Sequence, residues 1–355
     1  MKRPIIALAV AAASALVLAG CSAPSAEESD PGTELIQVVA STNVYGSLAE
    51  QIGGDRVEVT SIITSAAQDP HSYEATARDR LAVQNAVLVI ENGGGYDHFM
   101  ESLREGSDAH VITAVEFAHD YPGEDGHGHE EEHDDHAEEV EEADEHDHAD
   151  DHDHADEHDH HDEDADEHDH ADEHEGHNHI EGFNEHVWFD VHTIVHVVEA
   201  IAEELGEIDP AGEAEFEAAA SALIADLEVV EAEIEDLEHE FAGTAVFITE
   251  PLPGYLAAAI GLDDLAPEGF ASAVEEGNDV SPATLLAALS IVESGEVQLL
   301  LTNAQTGGAE TDRVEEAAEA AGVPIVAFTE LLEEGTSYAD WMRDAISRLA
   351  AALRP

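Results

Sequence analysis

The chain has 355 residues, of which 43% are apolar, so it is long and apolar enough to build two domains of ordinary size. Its 84 acidic residues stand against only 10 basic ones, and the formal net charge of −74 excludes nucleic acid and makes anionic membrane surfaces poor partners. Cations are the partners that this charge favours. The excess of acidic residues extends over the rest of the chain as well. An excess of that kind is typical of a general adaptation to salt rather than of a binding site.

The N-terminus has the pattern of a bacterial lipoprotein signal. A basic start and an apolar run over residues 4–18 lead into LAGC, whose Cys21 is the only cysteine of the chain. The run is shorter than the roughly 20 residues that a membrane-spanning helix needs. We therefore predict a cleaved signal peptide over residues 1–20, lipidation of Cys21 and a flexible tether over residues 21–34. The mature protein is then anchored on the outer face of the cytoplasmic membrane, and its acylated thiol forms no disulfide.

Short apolar strands alternate with helices over residues 35–118 and predict the first α/β lobe. Continuous apolar strands between helices are typical of parallel sheets that are covered on both faces. The predicted strands are 36–42, 57–63, AVLVIENG and HVITAV, and the predicted helices are 44–52, 75–85 and 96–103.

Residues 119–179 contain 17 histidines and 30 acidic residues but no basic ones. This segment cannot bury enough apolar surface to offset its ordering entropy, so we predict a disordered loop. Imidazoles among carboxylates bind zinc and similar borderline metals, whereas a solvated acidic spacer has no need of histidine. We therefore predict metal capture by this loop. The histidines concerned in its DEHDHAD-type repeats are His146, His148, His152, His154, His158, His160, His161, His168 and His170.

After this loop, residues 180–209 complete the first lobe, with a helix that begins near Val191. Residues 210–243 then predict one long helix, because its apolar side chains are spaced alternately four and three residues apart along a single stripe. A coiled-coil dimerisation helix would need a longer heptad run. We predict a rigid helix that links two lobes of a monomer.

The second α/β lobe is predicted over residues 244–355. Its predicted strands are AVFITE, VQLLLTN and PIVAFTE, and its predicted helices are 255–260, 281–293, 311–321 and 338–353.

Three motifs place metal-binding side chains where the two lobes would meet. DPHSYE follows the second strand, where ligands of open α/β folds bind, and offers His71. NEHVWFD puts His186 in a short apolar segment, and FITEPLPGY puts Glu250 at the end of a strand. Each residue alone is more often a satisfied polar group or a solvated strand end. Together they predict a metal site in a cleft between the lobes.

His192 and His196 form a further imidazole pair, four residues apart as in a helical metal chelate. Apolar residues on the opposite side of the same helix predict that this pair faces solvent instead. Its role stays open from the sequence.

The order of these features resembles one family, the cluster A-I metal-binding solute-binding proteins of ABC transporters, which carry zinc or manganese. The features are the lipobox, DPHSYE, the histidine-rich loop, HVW, the long helix, GVPIVAFTE and YADWM. The resemblance covers essentially all of the mature chain. It implies an α/β fold with two (β/α) lobes of parallel sheet joined by one long rigid linking helix, and one metal ion in the cleft between them. It also implies delivery of that ion to a membrane permease with its ATPase subunit.

By the same resemblance His71 and His186 match the first two ligand positions, and Glu250 matches the third. The third position is histidine in typical zinc members and glutamate in typical manganese members. The fourth is usually an acidic residue just after the strand VQLLLTN, where this chain has Asn303. Because an amide oxygen is a weaker zinc ligand than a carboxylate, water, a loop histidine or Glu310 are the alternatives.

Metal preference follows from two arguments that disagree. A carboxylate beside two histidines suits Mn²⁺, but a loop of imidazoles serves Zn²⁺ far better. We therefore expect the extracytoplasmic zinc-binding component of an ABC-type uptake system, with a manganese-binding member of the family as the alternative. A stand-alone surface zinc chaperone or store and an adhesin-like lipoprotein are the other candidates.

The sequence does not indicate an enzyme, because it has neither an activated-nucleophile motif nor a phosphate-binding loop. HEEEH at residues 129–133 matches a zinc protease pattern, but such a match is expected by chance in a tract of His, Asp and Glu.

Overall fold

The computed structural model describes residues 35–123, 180, 182–333 and 335–354. The predicted signal peptide, Cys21, the tether and the nine loop histidines predicted to capture metal lie outside the described residues. Among the helices of the described ranges, none combines the length and the apolar character needed to cross a bilayer.

The first lobe is built on a four-stranded parallel sheet with strand order β2-β1-β3-β4. Its strands are almost purely apolar at the centre, because β1 and β3 are covered by helices on both faces. The strands are β1 (Ile36–Thr42), β2 (Val57–Ile63), β3 (Leu88–Glu91) and β4 (His110–Thr113). The helices of this lobe are α1 (Asn43–Gly53), α2 (Ala77–Asn85), α3 (Phe99–Arg104) and α4 (Val191–Ile208).

The second lobe repeats this topology, with a four-stranded parallel sheet in the order β6-β5-β7-β8. Its strands are β5 (Ala245–Ile248), β6 (Asp263–Asp264), β7 (Leu299–Asn303) and β8 (Ile325–Phe328). Its helices are α6 (Gly254–Ala259), α7 (Phe270–Glu275), α8 (Pro282–Glu293), α9 (Ala309–Ala321) and α10 (Tyr338–Leu353). The predicted architecture of two parallel-sheet α/β lobes is confirmed.

One long helix, α5 (Glu213–Phe241), runs between the lobes. It packs against α1 and α4 of the first lobe and against α6 and α10 of the second. Its buried stripe enters the same apolar core as both sheets. The stripe consists of Phe216, Ala220, Leu223, Leu227, Val230, Ile234 and Leu237. Because α5 contacts both lobes, we expect it to restrict their relative motion.

Hydrogen bonds also join the lobes directly. The Asn43 amide donates to the Leu332 carbonyl over 2.8 Å and accepts from the Leu332 N–H over 3.1 Å. The Tyr338 hydroxyl donates to the Trp188 carbonyl over 2.7 Å. Because these partners are buried or half-buried, separating the lobes would leave unsatisfied polar groups.

Candidate metal site

His71 is held by a short turn that follows β2. Residues Pro70–Ser72 form one 3₁₀ turn, and the Asp69 carboxylate accepts hydrogen bonds from the His71 N–H over 2.9 Å and the Ser72 hydroxyl over 2.8 Å. Proline at the first position of the turn suits this geometry because its missing N–H needs no partner. The turn carries His71 into the protein, where only 6% of its surface is exposed.

His186 enters the site from the segment that precedes α4. The Asn184 side-chain oxygen lies 2.8 Å from His186 Nδ1, and it also accepts from the His186 backbone N–H over 3.1 Å. An amide oxygen only accepts, so the proton is assigned to Nδ1 and the lone pair of the neutral ring to Nε2. Asn184 in turn donates to the carbonyl of Pro251 in the second lobe over 3.0 Å. The imidazole is thereby oriented by a residue that contacts both lobes.

Tyr96 brings the two imidazoles together with a carboxylate of the second lobe. Its ring centroid lies 5.0 Å from that of His71 and 5.8 Å from that of His186, and these two imidazole centroids are 6.1 Å apart. The Tyr96 hydroxyl donates to Glu330 Oε2 over 3.0 Å. Glu330 is the second residue after β8, so it lies at the carboxyl edge of the second sheet.

Glu250 and Glu330 share one amide group. Asn303 Nδ2 donates to Glu250 Oε2 over 2.9 Å and to Glu330 Oε1 over 2.8 Å. The Thr306 hydroxyl also donates to Glu250, at 2.6 Å from Oε1. Both carboxylates are buried, with 4% and 1% of their surfaces exposed. Their orientation is therefore fixed by hydrogen bonds before any ion binds.

Glu275, the last residue of α7, adds a third carboxylate. Its Oε1 lies 3.6 Å from His186 Nδ1, and the side chain is 9% exposed. One potential ligand atom each from His71, His186 and Glu275 lies within 4.8 Å of the other two. These three side chains are close enough to bind one ion together.

Burial and mutual repulsion govern the charges of these glutamates. Burial raises the pKa of Glu330 to about 7, although hydrogen bonds from Asn303 and Tyr96 oppose the change. Burial also raises the pKa of Glu250 and that of Glu275, and the charge of Glu250 adds to the effect on Glu275. A divalent cation among the three carboxylates would replace their lost hydration and relieve this repulsion.

Of the predicted site residues, His71 and His186 lie close together, and Glu250 is connected to them through Asn303, Glu330 and Tyr96. Asn303 lies beside them but in a different role, because its Oδ1 accepts from the Gln305 backbone N–H over 2.9 Å. Carboxylates only accept, so the amide must turn its nitrogen toward them and its oxygen away. Asn303 therefore orients carboxylates, and the prediction of a metal ligand at this position is not supported by the geometry.

Glu310 lies in the first turn of α9, and none of the described hydrogen bonds connects it to this cluster. His192 and His196 lie on α4, where His192 is exposed and His196 is half-buried.

Sequence reasoning does not single out Glu330 or Glu275. Glu330 carries the same signal as Glu250, a carboxylate directly after an apolar strand, and could have been found by applying that rule to PIVAFTE. Glu275 lies on a six-residue helix with no apolar periodicity that distinguishes it from a loop.

Comparisons with known proteins identify the family and the fold of the chain. A family described as "Zinc-uptake complex component A periplasmic" matches residues 38–352. The manganese-binding lipoprotein MntA of Halalkalibacterium halodurans is 26% identical over 256 residues, which are 70% of this chain and 65% of that protein. MntA of Bacillus subtilis is 35% identical over 86 residues, 24% of this chain and 27% of that protein. The chain thus spans less than two thirds of the length of these relatives.

Solved structures show the same fold. The periplasmic zinc-binding protein TroA from Treponema pallidum superposes with a TM-score of 0.65 at 17% identity, covering 91% of this chain and all of that one. FpvC from Pseudomonas aeruginosa, solved in complex with Mn²⁺, superposes with a TM-score of 0.62 at 18% identity, covering 90% and 99%. Since the family match extends over most of the chain and both lobes, the chain belongs to the family of the periplasmic component A of zinc-uptake complexes.

Proposed function

We propose that this chain is the extracytoplasmic zinc-binding component of an ABC-type uptake system, which captures Zn²⁺ and delivers it to a permease with an ATPase subunit. The observation that supports this most directly is the convergence of His71 and His186 with buried carboxylates from the other lobe. The ion is cargo, so the protein needs a site that binds and releases rather than one that transforms a substrate. On this proposal the protein is not an enzyme.

His71, His186, Glu250 and Glu330 are the donors that we assign to the cargo ion. Glu275 is not assigned as a donor, because its Oε1 lies beside His186 Nδ1, the nitrogen that carries the proton. Two imidazoles and two carboxylates make a four-donor set of the kind that zinc accepts. Asn303 and Tyr96 would hold the carboxylates in place through hydrogen bonds of 2.8 to 3.0 Å. Such outer partners orient ligands and raise affinity.

Mn²⁺ is the second candidate cargo, and the carboxylates favour it. Hard oxygen donors suit Mn²⁺, and the two relatives described above are named for manganese. We prefer Zn²⁺ because imidazole is its better ligand and because the sequence places 17 histidines between residues 119 and 179.

Competitive titration of the purified full-length protein with Zn²⁺ and Mn²⁺ tests this assignment. We expect one tightly held zinc ion that survives dialysis against a weak chelator and that excess Mn²⁺ does not displace. Zinc at about a hundred times its Kd should stabilise the fold by about 2.7 kcal/mol, which appears as a raised melting temperature. Displacement of zinc by equimolar Mn²⁺ would instead make manganese the cargo.

His186→Ala should abolish both the retained ion and the melting shift. His239→Ala, at an exposed histidine on α5, is the matched control and should change neither. In cells, deletion of the gene should impair growth in zinc-depleted medium, and the wild-type gene but not His186→Ala should restore growth. Normal growth of the deletion strain would favour a zinc store or an adhesin-like lipoprotein.

We further propose that lipidated Cys21 anchors the protein to the outer face of the cytoplasmic membrane, as a monomer. The support is the LAGC motif and the lipoprotein relatives. Cys21→Ser should release the protein into the soluble fraction or stall its processing, as immunoblots of cell fractions would show. A fully processed, membrane-bound variant would contradict the anchor.

A further inference from the structure

Two histidines on α4, the exposed His192 and the half-buried His196, form a pair outside the cleft. His192 and His196 are four residues apart, and their ring centroids are 4.8 Å apart. Residues at this spacing lie one above the other on the same face of a helix. Two imidazoles so placed can bind one ion without rearrangement of the backbone.

A carboxylate of the neighbouring helix completes a three-residue cluster. Glu231 on α5 places Oε1 3.8 Å from His192 Nδ1. Glu199 Oε2 lies 3.1 Å from His196 Nδ1, a contact of the type by which carboxylates orient metal-binding imidazoles. Burial raises the pKa of Glu231, and the charges of both His192 and His196 oppose that change. Glu231 thus lies beside the ring of His192, which is itself next to that of His196.

The surroundings favour a cation. A surface groove of about 460 Å³ beside His192 is lined by acidic residues of α4's entry and of α5. These are Asp190, Glu228, Glu231, Glu235 and Glu238. His119, the first histidine of the histidine-rich segment, lies 3.9 Å from Asp190. The groove therefore lies near His119, the first residue of that segment.

We propose that His192, His196 and Glu231 form a second, surface-exposed site for a borderline divalent cation such as Zn²⁺. The two rings reach a common ion by rotation about their side-chain bonds, mainly those of the exposed His192. Binding would link α4 to α5 and would be weaker than binding in the cleft, because these side chains are not preorganised by burial. The inference does not depend on which ion the cleft carries.

Residue-resolved histidine modification of the full-length protein tests this site, with zinc alone as the probe. Diethyl pyrocarbonate modifies accessible imidazoles, and peptide mass spectrometry reports the protection of each one. His239 on α5 is the matched reference. Its Nε2 lies 3.8 Å from Glu235 Oε1, the same distance as between His192 Nδ1 and Glu231 Oε1. The His239–Glu235 pair, however, contains one imidazole rather than two. We expect His192 and His196 to be protected together, at a zinc concentration about tenfold or more below that for His239.

Variants separate chelation from simple exposure. His196→Ala should raise the zinc concentration that protects His192 to that of His239, and Glu231→Gln should raise it in part, while melting shifts caused by the cleft ion stay unchanged. Protection of His192 at the same zinc concentration as His239, or protection that His196→Ala does not affect, would overturn the proposal. Because neither histidine belongs to the buried core, the variants should fold, and circular dichroism verifies this.

Discussion

One amide nitrogen, Asn303 Nδ2, orients two buried glutamates, Glu250 and Glu330. Both acceptors are carboxylates, and the amide has no other group that could replace its Nδ2 at 2.8 and 2.9 Å. Asparagine is neutral, so it orients Glu250 and Glu330 without cancelling the negative charge that would attract an ion. An arginine at this position would orient them equally well and would repel the cargo.

Asn303→Ala should therefore weaken zinc binding in the cleft by about 10- to 100-fold, the usual effect of removing a residue that orients metal ligands. Isothermal titration against a competing chelator measures the change. Asn278→Ala is the matched control, because Asn278 donates to Glu276 over 2.7 Å at the surface. Equal affinities for wild type and Asn303→Ala would show that the carboxylates need no such support.

Glu330 should make the metal-free protein less stable as the pH rises. Its pKa in the folded state, about 7, lies above the ordinary value of 4.5, so the folded state binds the proton more tightly than the unfolded chain does. The free energy of unfolding should then fall between about pH 4.5 and pH 7 and level off above. A pKa change of this size corresponds to about 3 kcal/mol.

Urea unfolding of chelator-treated protein at pH 5 and pH 7.5 measures this effect. Glu330→Gln should lose less stability across that interval than wild type, because glutamine does not titrate. Glu310→Gln, on α9 away from the cleft, should behave like wild type. A Glu330→Gln variant with the full wild-type pH dependence would assign the effect to other groups.

At the scale of elements, the long helix shows what a sequence determines well. Its apolar residues recur with one spacing over many turns, so both the helix and its buried stripe follow from periodicity alone. The central strands are equally clear, because a continuous apolar run between helices has few alternatives. In contrast, β6 consists of Asp263 and Asp264 and is a strand only because its backbone pairs with β5. Tertiary pairing of that kind leaves no pattern in the side chains.

The candidate site likewise contains residues that a sequence pattern indicates and residues that no pattern indicates. His71, His186 and Glu250 lie next to strands or in a short apolar segment that marks them, so their types and positions suffice to nominate them. Glu275 comes from a six-residue helix behind Gly269, whose positive φ of 76° turns the chain into that helix. Its proximity to His186 depends on how this connection folds over the cleft, and spacing along the chain does not encode that distance.

Leu227→Ala tests how far α5 stabilises the two lobes. Leu227 is fully buried in the stripe, so its truncation should lower the free energy of unfolding by about 2–5 kcal/mol. Val229→Ala lies on the same helix with 49% of the side chain exposed and should change stability by less than about 0.5 kcal/mol. Denaturant unfolding of the metal-free protein measures both. Similar losses in the two variants would mean that helix propensity rather than core packing stabilises α5.

At the scale of the whole molecule, zinc should act on the cleft locally and leave the lobes in place. The lobes share α5, one apolar core and buried hydrogen bonds between Asn43 and Leu332. A hinge-like closure would have to break these contacts, whereas local movement of side chains and connecting loops would not.

Distance measurement between spin labels checks this expectation. Cysteines introduced at Leu81 and Leu286, both exposed and on opposite lobes, carry the labels in a Cys21→Ser background. The mean distance should change by less than about 2 Å when zinc is added. Labels at Leu81 and Val111, both in the first lobe, provide the reference for label mobility. A change of many ångströms in the first pair but not in the second would mean that the lobes close on the ion.

The parallel sheets have a consequence for how such a protein diversifies. His71, Glu250 and Glu330 each follow a different strand, and His186 lies in the segment before α4, so every assigned donor comes from its own connection. A substitution in one connection changes a single donor while the strands beneath it keep their pairing. A lineage can therefore exchange its cargo ion through one codon at a time, with each intermediate still folded. Selection for binding of a scarce metal can therefore change the donor residues without changing the sheets that carry them.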